Sequence, residues 1–148
     1  MTRIRRIVFA TDLSTASSRA FTVAIAMTTS LKARLTIVNV MAPILQTVPE
    51  QYVDPITFDR LERQEREWSS QQLKKLADRA GKRGITATIQ LLRGNAAEQI
   101  VAAAKAQRAD LIVVGTHGRQ GLPRFFLGSV AQRVVTLSHC PVVTVREQ

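Results

Sequence analysis

At 148 residues, 45% hydrophobic and 22% charged, the chain has the composition of a single globular domain, spanning 1–148, with one continuous core. No segment reaches the roughly 18 uninterrupted apolar residues of a membrane span, and a single cysteine, Cys140, excludes an intrachain disulfide. The formal net charge of +10 attracts polyanions in general, yet the cations between Arg60 and Arg83 are interleaved with Asp59, Glu62, Glu65, Glu67 and Asp78, the pattern of a solvated helix face. With aromatics at only 5%, little is available for base stacking, so nucleic acid is not the expected partner. An unpaired thiol is easiest to keep in a reducing compartment, which favours the cytoplasm.

The first element is Ile4 to Thr11 (IRRIVFAT), short, β-branched and apolar. Asp12 follows it at once and no small-residue cleavage pattern is present, so this reads as a strand and not a signal peptide. Asp12-Leu13-Ser14 has helix-start chemistry, and Ala20, Val23, Ala24, Met27 and Leu31 then recur at helical spacing. Arg34 to Val40 (RLTIVNV) is a second strand, and Pro43 and Pro49 mark the long loop from about Met41 to Val53. Long connections in compact domains tend to serve function or to move.

Asp54-Pro55 has the form of an N-cap followed by proline at the first helical position. The spacing of Phe58, Leu61, Trp68, Leu76 and Ala80 predicts one buried helix face, with Trp68 packing it, and Gly81 and Gly84 end the helix. Ile85 to Leu92 alternates as a strand. Asn95 with Glu98 three residues on resembles a capping box ahead of the stripe Ala97, Ile100, Val101, Ala104. Leu111 to Val114 is a buried-strand run, Gly128 onward is helical, and Pro141 to Val145 closes the chain as a fifth strand. Strands alternating with helices predict an α/β fold: a single open five-stranded parallel sheet with helices on both faces.

Four of the seven glycines fall within GTHGRQGLPRFFLGS, residues 115–129, directly after the fourth strand. Its last residues, Gly128 and Ser129, open a helix, whose free N–H groups and positive dipole end suit a phosphate. A P-loop is excluded because no lysine follows Lys105, and a dinucleotide fingerprint is excluded because ATDLSTASS after the first strand has no glycine. The alternative for the glycines is a surface loop that needs turns. Asp12 could likewise cap the first helix, with or without a ligand role. Arg124 reads as a solvated charge; Arg119 is open between solvent and phosphate. His117 reads as a loop-lining residue more than a proton-transfer group. A triad of Asp12, His117 and Ser129 is rejected because Ser129 lacks the G-x-S-x-G elbow. His139 and Cys140 have no further ligands for a metal, and Cys140 reads as a buried strand residue.

The spacing Gly115-x2-Gly118-x9-Gly128-Ser129 resembles the G-x2-G-x9-G-[ST] motif of the nucleotide-binding universal stress proteins. The resemblance runs along the chain: IVFATDLS, LTIVNV, LLRGNAAEQI, ADLIVVGTHGRQG and FFLGSVAQRVVTLSHCPVVTV occur in order. It implies a Rossmann-like domain of the adenine nucleotide alpha hydrolase-like type, binding ATP or a related adenine nucleotide between the first and fourth strands and serving stress-response sensing or regulation. On the same ground, Ala10, Thr11 and Asp12 would contact the adenosine part and the backbone of Val40 the adenine edge. Gly115, His117, Gly118 and Arg119 would close over ribose and phosphate, and Gly128, Ser129 and Val130 would receive the phosphates. Mg²⁺ or Mn²⁺ would arrive on the nucleotide, not in a protein cage. The family's common pairing through the last strand implies a homodimer through Val142 to Val145. The chain departs from many relatives at Ala10, where they have proline, and at Leu13, where they have glycine. No residue is placed as a general base, so efficient ATP hydrolysis is not expected. The competing classes are a nucleotide-independent interaction module acting through its dimer surface, a basic polyanion binder, and a slow ATPase.

Overall fold

A computed structural model of the chain describes residues 3–44, 49–116 and 127–146. Five strands form one sheet: β1 (Arg6–Ala10), β2 (Arg34–Met41), β3 (Thr88–Arg93), β4 (Leu111–Gly115) and β5 (Val142–Val145). All pairings are parallel, in the order β3-β2-β1-β4-β5. Four helices cover it: α1 (Ser18–Leu31), α2 (Pro55–Gly81), α3 (Ala96–Ala106) and α4 (Ser129–Leu137). The expected α/β architecture is therefore present, with strand ends shifted by one to three residues.

The sheet is buried on both faces because alternate residues of its central strands enter two separate cores. Ile7 and Phe9 of β1, Leu35 and Ile37 of β2, and Leu111 and Val113 of β4 pack with Phe21, Ala24 and Ile25 of α1 and Leu73 and Ala80 of α2. Val8, Ala10, Val38, Ile112 and Val114 face the other way, against Ala97, Ile100 and Ala104 of α3 and Ala131 and Val134 of α4. Phe9 and Phe21 meet with ring centroids 5.8 Å apart and planes tilted by 52°, and the Arg79 guanidinium sits 4.7 Å above the Phe21 ring. Such contacts contribute about 0.5–1.5 kcal/mol each beyond burial of area.

Helix starts follow local chemistry. The Asp54 carboxylate accepts from the N–H groups of Ile56 and Thr57, both at 3.0 Å, ahead of Pro55, and Asn95 accepts from Glu98 N–H at 3.1 Å. Helix α1 starts later than its sequence suggests, because Thr15–Ser17 forms a separate 3-10 turn first. Two expectations need correction. The buried face of α2 is Ser69, Leu73 and Ala80, while Trp68, a member of the predicted stripe, is 46% exposed, one position off the face that packs. Cys140 is half-buried in the turn before β5, where Ser138 Oγ donates to its carbonyl at 2.7 Å.

Candidate functional site at the topological switch point

Strand β1 lies between β2 and β4, so the chain leaves β1 toward one side of the sheet and returns, after β3, on the other. The loops that follow β1 and β4 consequently diverge and open a crevice at their carboxyl ends, the place where open α/β sheets bind ligands.

On the β1 side, the chain turns sharply at residues 11–14. Thr11 N–H continues the ladder to Val38 O at 2.9 Å, and the Thr11 carbonyl accepts from Asn39 Nδ2 at 2.9 Å. Leu13 N–H donates to Thr11 Oγ1 at 3.0 Å, and Ser17 Oγ donates to Ser14 O at 2.8 Å. The remaining Thr11 Oγ1–Ser17 Oγ contact, 2.8 Å, therefore carries the Thr11 hydroxyl proton. Asp12 Oδ1 accepts from both the N–H and the hydroxyl of Ser14, an Asx-type turn. Asp12 thus shapes the turn, and the N-cap residues of the 3-10 turn and of α1, Ser14 and Ser17, make no side-chain cap bond. Within this turn Leu13 adopts φ +63°, the left-handed region in which a side chain is strained and glycine is not. The departure from glycine noted in the sequence falls on the residue that needs positive φ.

Asp12, Leu13, Asn39, Val40, Met41 and Ala42 line one cavity of about 300 Å³, closed on its far side by Glu65, Trp68 and Ser69 of α2. The structure therefore brings together Asp12 and Val40, two of the residues expected to meet a nucleoside. It does not bring the side chains of Ala10 and Thr11 there. Ala10 is 7% exposed and packs in the core under α3 and α4, while Thr11 lines a neighbouring concavity with Phe9, Ser17, Phe21 and Arg79.

On the β4 side, Gly115 pairs with Val145 at the end of the strand. Thr116 N–H donates to Val145 O at 2.9 Å, and its carbonyl accepts from Gly128 N–H at 2.6 Å. The second bond brings the start of α4 beside the end of β4, joining Gly128 to the residue that follows Gly115. Helices α2 and α3 carry side-chain caps, but α4 begins at buried Gly128 without one. Its first intrahelical bond, Gln132 N–H to Gly128 O at 2.9 Å, leaves the N–H groups of Ser129, Val130 and Ala131 at the crevice end of the helix. Ser129 and Val130 are exposed. His117, Gly118, Arg119 and Arg124 lie outside the described residues.

Two positions at the crevice are not apparent from the sequence. Asn39 was visible only as a polar residue in an apolar strand, and Trp68 was assigned to the core. Arg93, at the end of β3, adds a third: it donates to Ala42 O at 2.8 Å and to Glu65 Oε2 at 3.3 Å, tying α2 to the loop after β2. Among the described residues no group of three or more His, Cys, Asp or Glu could hold a metal ion, and no helix is long and apolar enough to cross a membrane.

Comparison with known proteins agrees with this architecture. The model of the universal stress protein family matches residues 3–146. A universal stress protein of Thermus aquaticus is 36% identical over 143 residues, 96% of this chain and 98% of that protein. Universal stress protein MJ0531 of Methanocaldococcus jannaschii is 43% identical over 82 residues, 55% of this chain and 48% of that protein. Among solved structures, MJ0577 of the same organism superposes with a TM-score of 0.86 at 22% identity, covering 99% of both chains. A universal stress protein in complex with cAMP superposes with a TM-score of 0.70 at 25% identity, covering 98% of both. The chain belongs to the universal stress protein family.

Proposed function

We propose that this chain binds ATP or a related adenine nucleotide across the crevice between the carboxyl ends of β1 and β4, and that it acts in the cytoplasm as a stress-response sensor or regulator whose state or partner changes with nucleotide. The observation that carries the reading is the pairing of two different surfaces at one switch point. One is the cavity lined by Asp12, Leu13, Asn39 and Val40 on one side and Trp68 on the other. The other is the uncapped start of α4 at Gly128, Ser129 and Val130.

Their chemistries match the two ends of a nucleotide. A cavity that sets Leu13, Val40, Met41 and Trp68 beside the polar Asp12, Asn39, Glu65 and Ser69 suits a nucleoside, which has an apolar ring face and polar edges, and N–H groups at a positive helix end suit phosphates. Gly115, His117, Gly118 and Arg119 complete the proposed cradle, with Mg²⁺ or Mn²⁺ carried on the phosphates. Ala10 and Thr11 contribute backbone only. The cAMP complex of a relative supports an adenine ligand. Binding without efficient turnover is part of the proposal, since no residue of this constellation stands out as a general base for water; turnover of ATP at about 10 per second, an ordinary enzyme rate, would contradict it.

The proposal includes a homodimer through Val142 to Val145. Strand β5 is the edge of the sheet, and an edge offers unspent hydrogen-bonding groups to a second copy. On the neighbouring helix, Val130, Val135 and Leu137 are 43–47% exposed, apolar surface that a partner would cover. The same surface favours a second reading, an interaction module that needs no nucleotide. Calorimetric titration with ATP, AMP, cAMP and GTP separates the two: heat of binding for an adenine nucleotide supports the first, and no binding of any supports the second.

A further inference from the structure

Trp68 is the single tryptophan of the chain, and it stays 46% exposed while its neighbour Ser69 is 3% exposed against the body of the protein. A helical stripe would have buried it. Instead the buried face runs through Ser69, Leu73 and Ala80, one residue away, and leaves Trp68 beside the residues that end β1 and β2. There it forms the far wall of the cavity that holds Asp12 and Val40.

That wall is held in place. Arg93 Nη2 donates to Glu65 Oε2 at 3.3 Å and Arg93 Nη1 to Ala42 O at 2.8 Å, with Glu62 Oε1 4.0 Å from Arg93 Nε. The guanidinium therefore fixes the turn of α2 just before Trp68 to the loop after β2, which forms the opposite wall. Ser69 anchors the next position. An exposed indole on a fixed helix, facing a strand-end backbone across a cavity of about 300 Å³, has the composition of a base site: an aromatic platform and a polar main-chain edge.

We propose that Trp68 is the base-stacking wall of the nucleotide site and disfavours pyrimidines there, adenine being told from guanine by the polar edge opposite; this rests on the nucleotide reading above. The two-ring surface of a purine covers more of an indole than a pyrimidine does. Stacking is also the interaction that a half-exposed tryptophan can make without repacking the core.

The test is titration of ATP and CTP into the wild type, Trp68→Phe and Trp68→Ala, by calorimetry and, for the wild type, by tryptophan fluorescence. Since Trp68 is the only indole, any ligand-dependent emission change reports on it alone. ATP should change the emission with the same saturation point that calorimetry gives. Trp68→Ala should weaken ATP about tenfold to a hundredfold and CTP markedly less, while Trp68→Phe stays within a few-fold of the wild type for ATP. Circular dichroism and the melting temperature of both variants should stay near the wild-type values, because the side chain is not in the core. ATP binding by calorimetry with unchanged emission and unchanged Trp68→Ala affinity would overturn the proposal and leave the nucleotide reading intact. Equal losses for ATP and CTP would overturn the selectivity and make the residue merely structural. No binding of ATP to the wild type would remove the nucleotide reading itself, and this proposal with it.

Discussion

The side-chain amide of Asn39 donates to the main-chain carbonyl of Thr11 at 2.9 Å, joining residues 28 positions apart. Both residues are buried, at 6% exposure each, so the bond fixes where the chain leaves β1 and hence where Asp12 stands. Asn39→Leu removes the donor and leaves a buried carbonyl unsatisfied, a cost of about 1–3 kcal/mol. The melting temperature should fall by several degrees, and affinity for ATP should fall as well, because the Asp12 turn loses its support. A variant with an unchanged melting temperature would show that the bond contributes nothing.

Leu13 stands at φ +63° with its side chain partly packed against the core under α1 and α2. Two opposing effects meet here: left-handed strain of about 1–2 kcal/mol, relieved by glycine, and apolar burial, lost with glycine. Leu13→Gly should therefore change stability by less than about 1 kcal/mol. Leu13→Val adds β-branching at a conformation that disfavours it and should destabilise by about 1–3 kcal/mol. Chemical denaturation of the three proteins checks the order; equal stability of the glycine and valine variants would contradict it.

Asp110 precedes β4 and accepts from the N–H groups of Arg5 and Arg6, both at 2.9 Å, at the start of β1. The Arg5 N–H bond foremost holds its carboxyl below the usual carboxylate range; desolvation by burial opposes it, and the Arg6 N–H and guanidinium add to the lowering. A depressed folded-state pKa contributes stability that is complete above the unfolded value and is lost as pH falls through the folded value. Asp110→Asn should therefore be less stable than the wild type at pH 7, by about 1 kcal/mol. The gap should narrow as pH drops below about 4. Melting curves of both proteins from pH 7 to pH 2.5 would reveal it, and a gap independent of pH would refute it.

Gly118→Val puts a branched side chain into the loop where the nucleotide reading needs backbone to approach ligand. It should abolish ATP binding in a calorimetric titration and leave the circular dichroism spectrum and the oligomeric state unchanged. Unaltered affinity would take this glycine out of the site.

Much of this was legible in the sequence because it is local. Asp54-Pro55 and Asn95 announce helix starts through bonds that span three residues, and the apolar runs of β1, β2 and β4 announce burial on both faces. That the end of β4 at Gly115 and the start of α4 at Gly128 stand at one end of the sheet was legible only through the motif spacing. What escaped depends on distance. A helical stripe extrapolated from Phe58 to Ala80 takes Trp68 as a member because it is apolar, but the face that packs runs through Ser69, Leu73 and Ala80, and the small polar Ser69 gives no sign of it in the sequence. Asn39 sits in a strand whose neighbours are apolar, and its partner is reached only when β1 and β2 pair. Leu13 needs positive φ, which follows from the bonds that Thr11 and Asp12 make with Leu13 and Ser14, not from any propensity of leucine.

The most direct test of the central claim is thermal unfolding of the purified protein with and without Mg-ATP, with Mg-GTP as the control. At a hundredfold excess over its dissociation constant, a ligand that binds only the folded state stabilises it by about 2.7 kcal/mol, several degrees of melting temperature. Mg-ATP should produce that rise and Mg-GTP none. An unchanged melting temperature with Mg-ATP, at concentrations well above ordinary cellular affinity, would contradict the nucleotide site and leave the interaction module as the function of this fold.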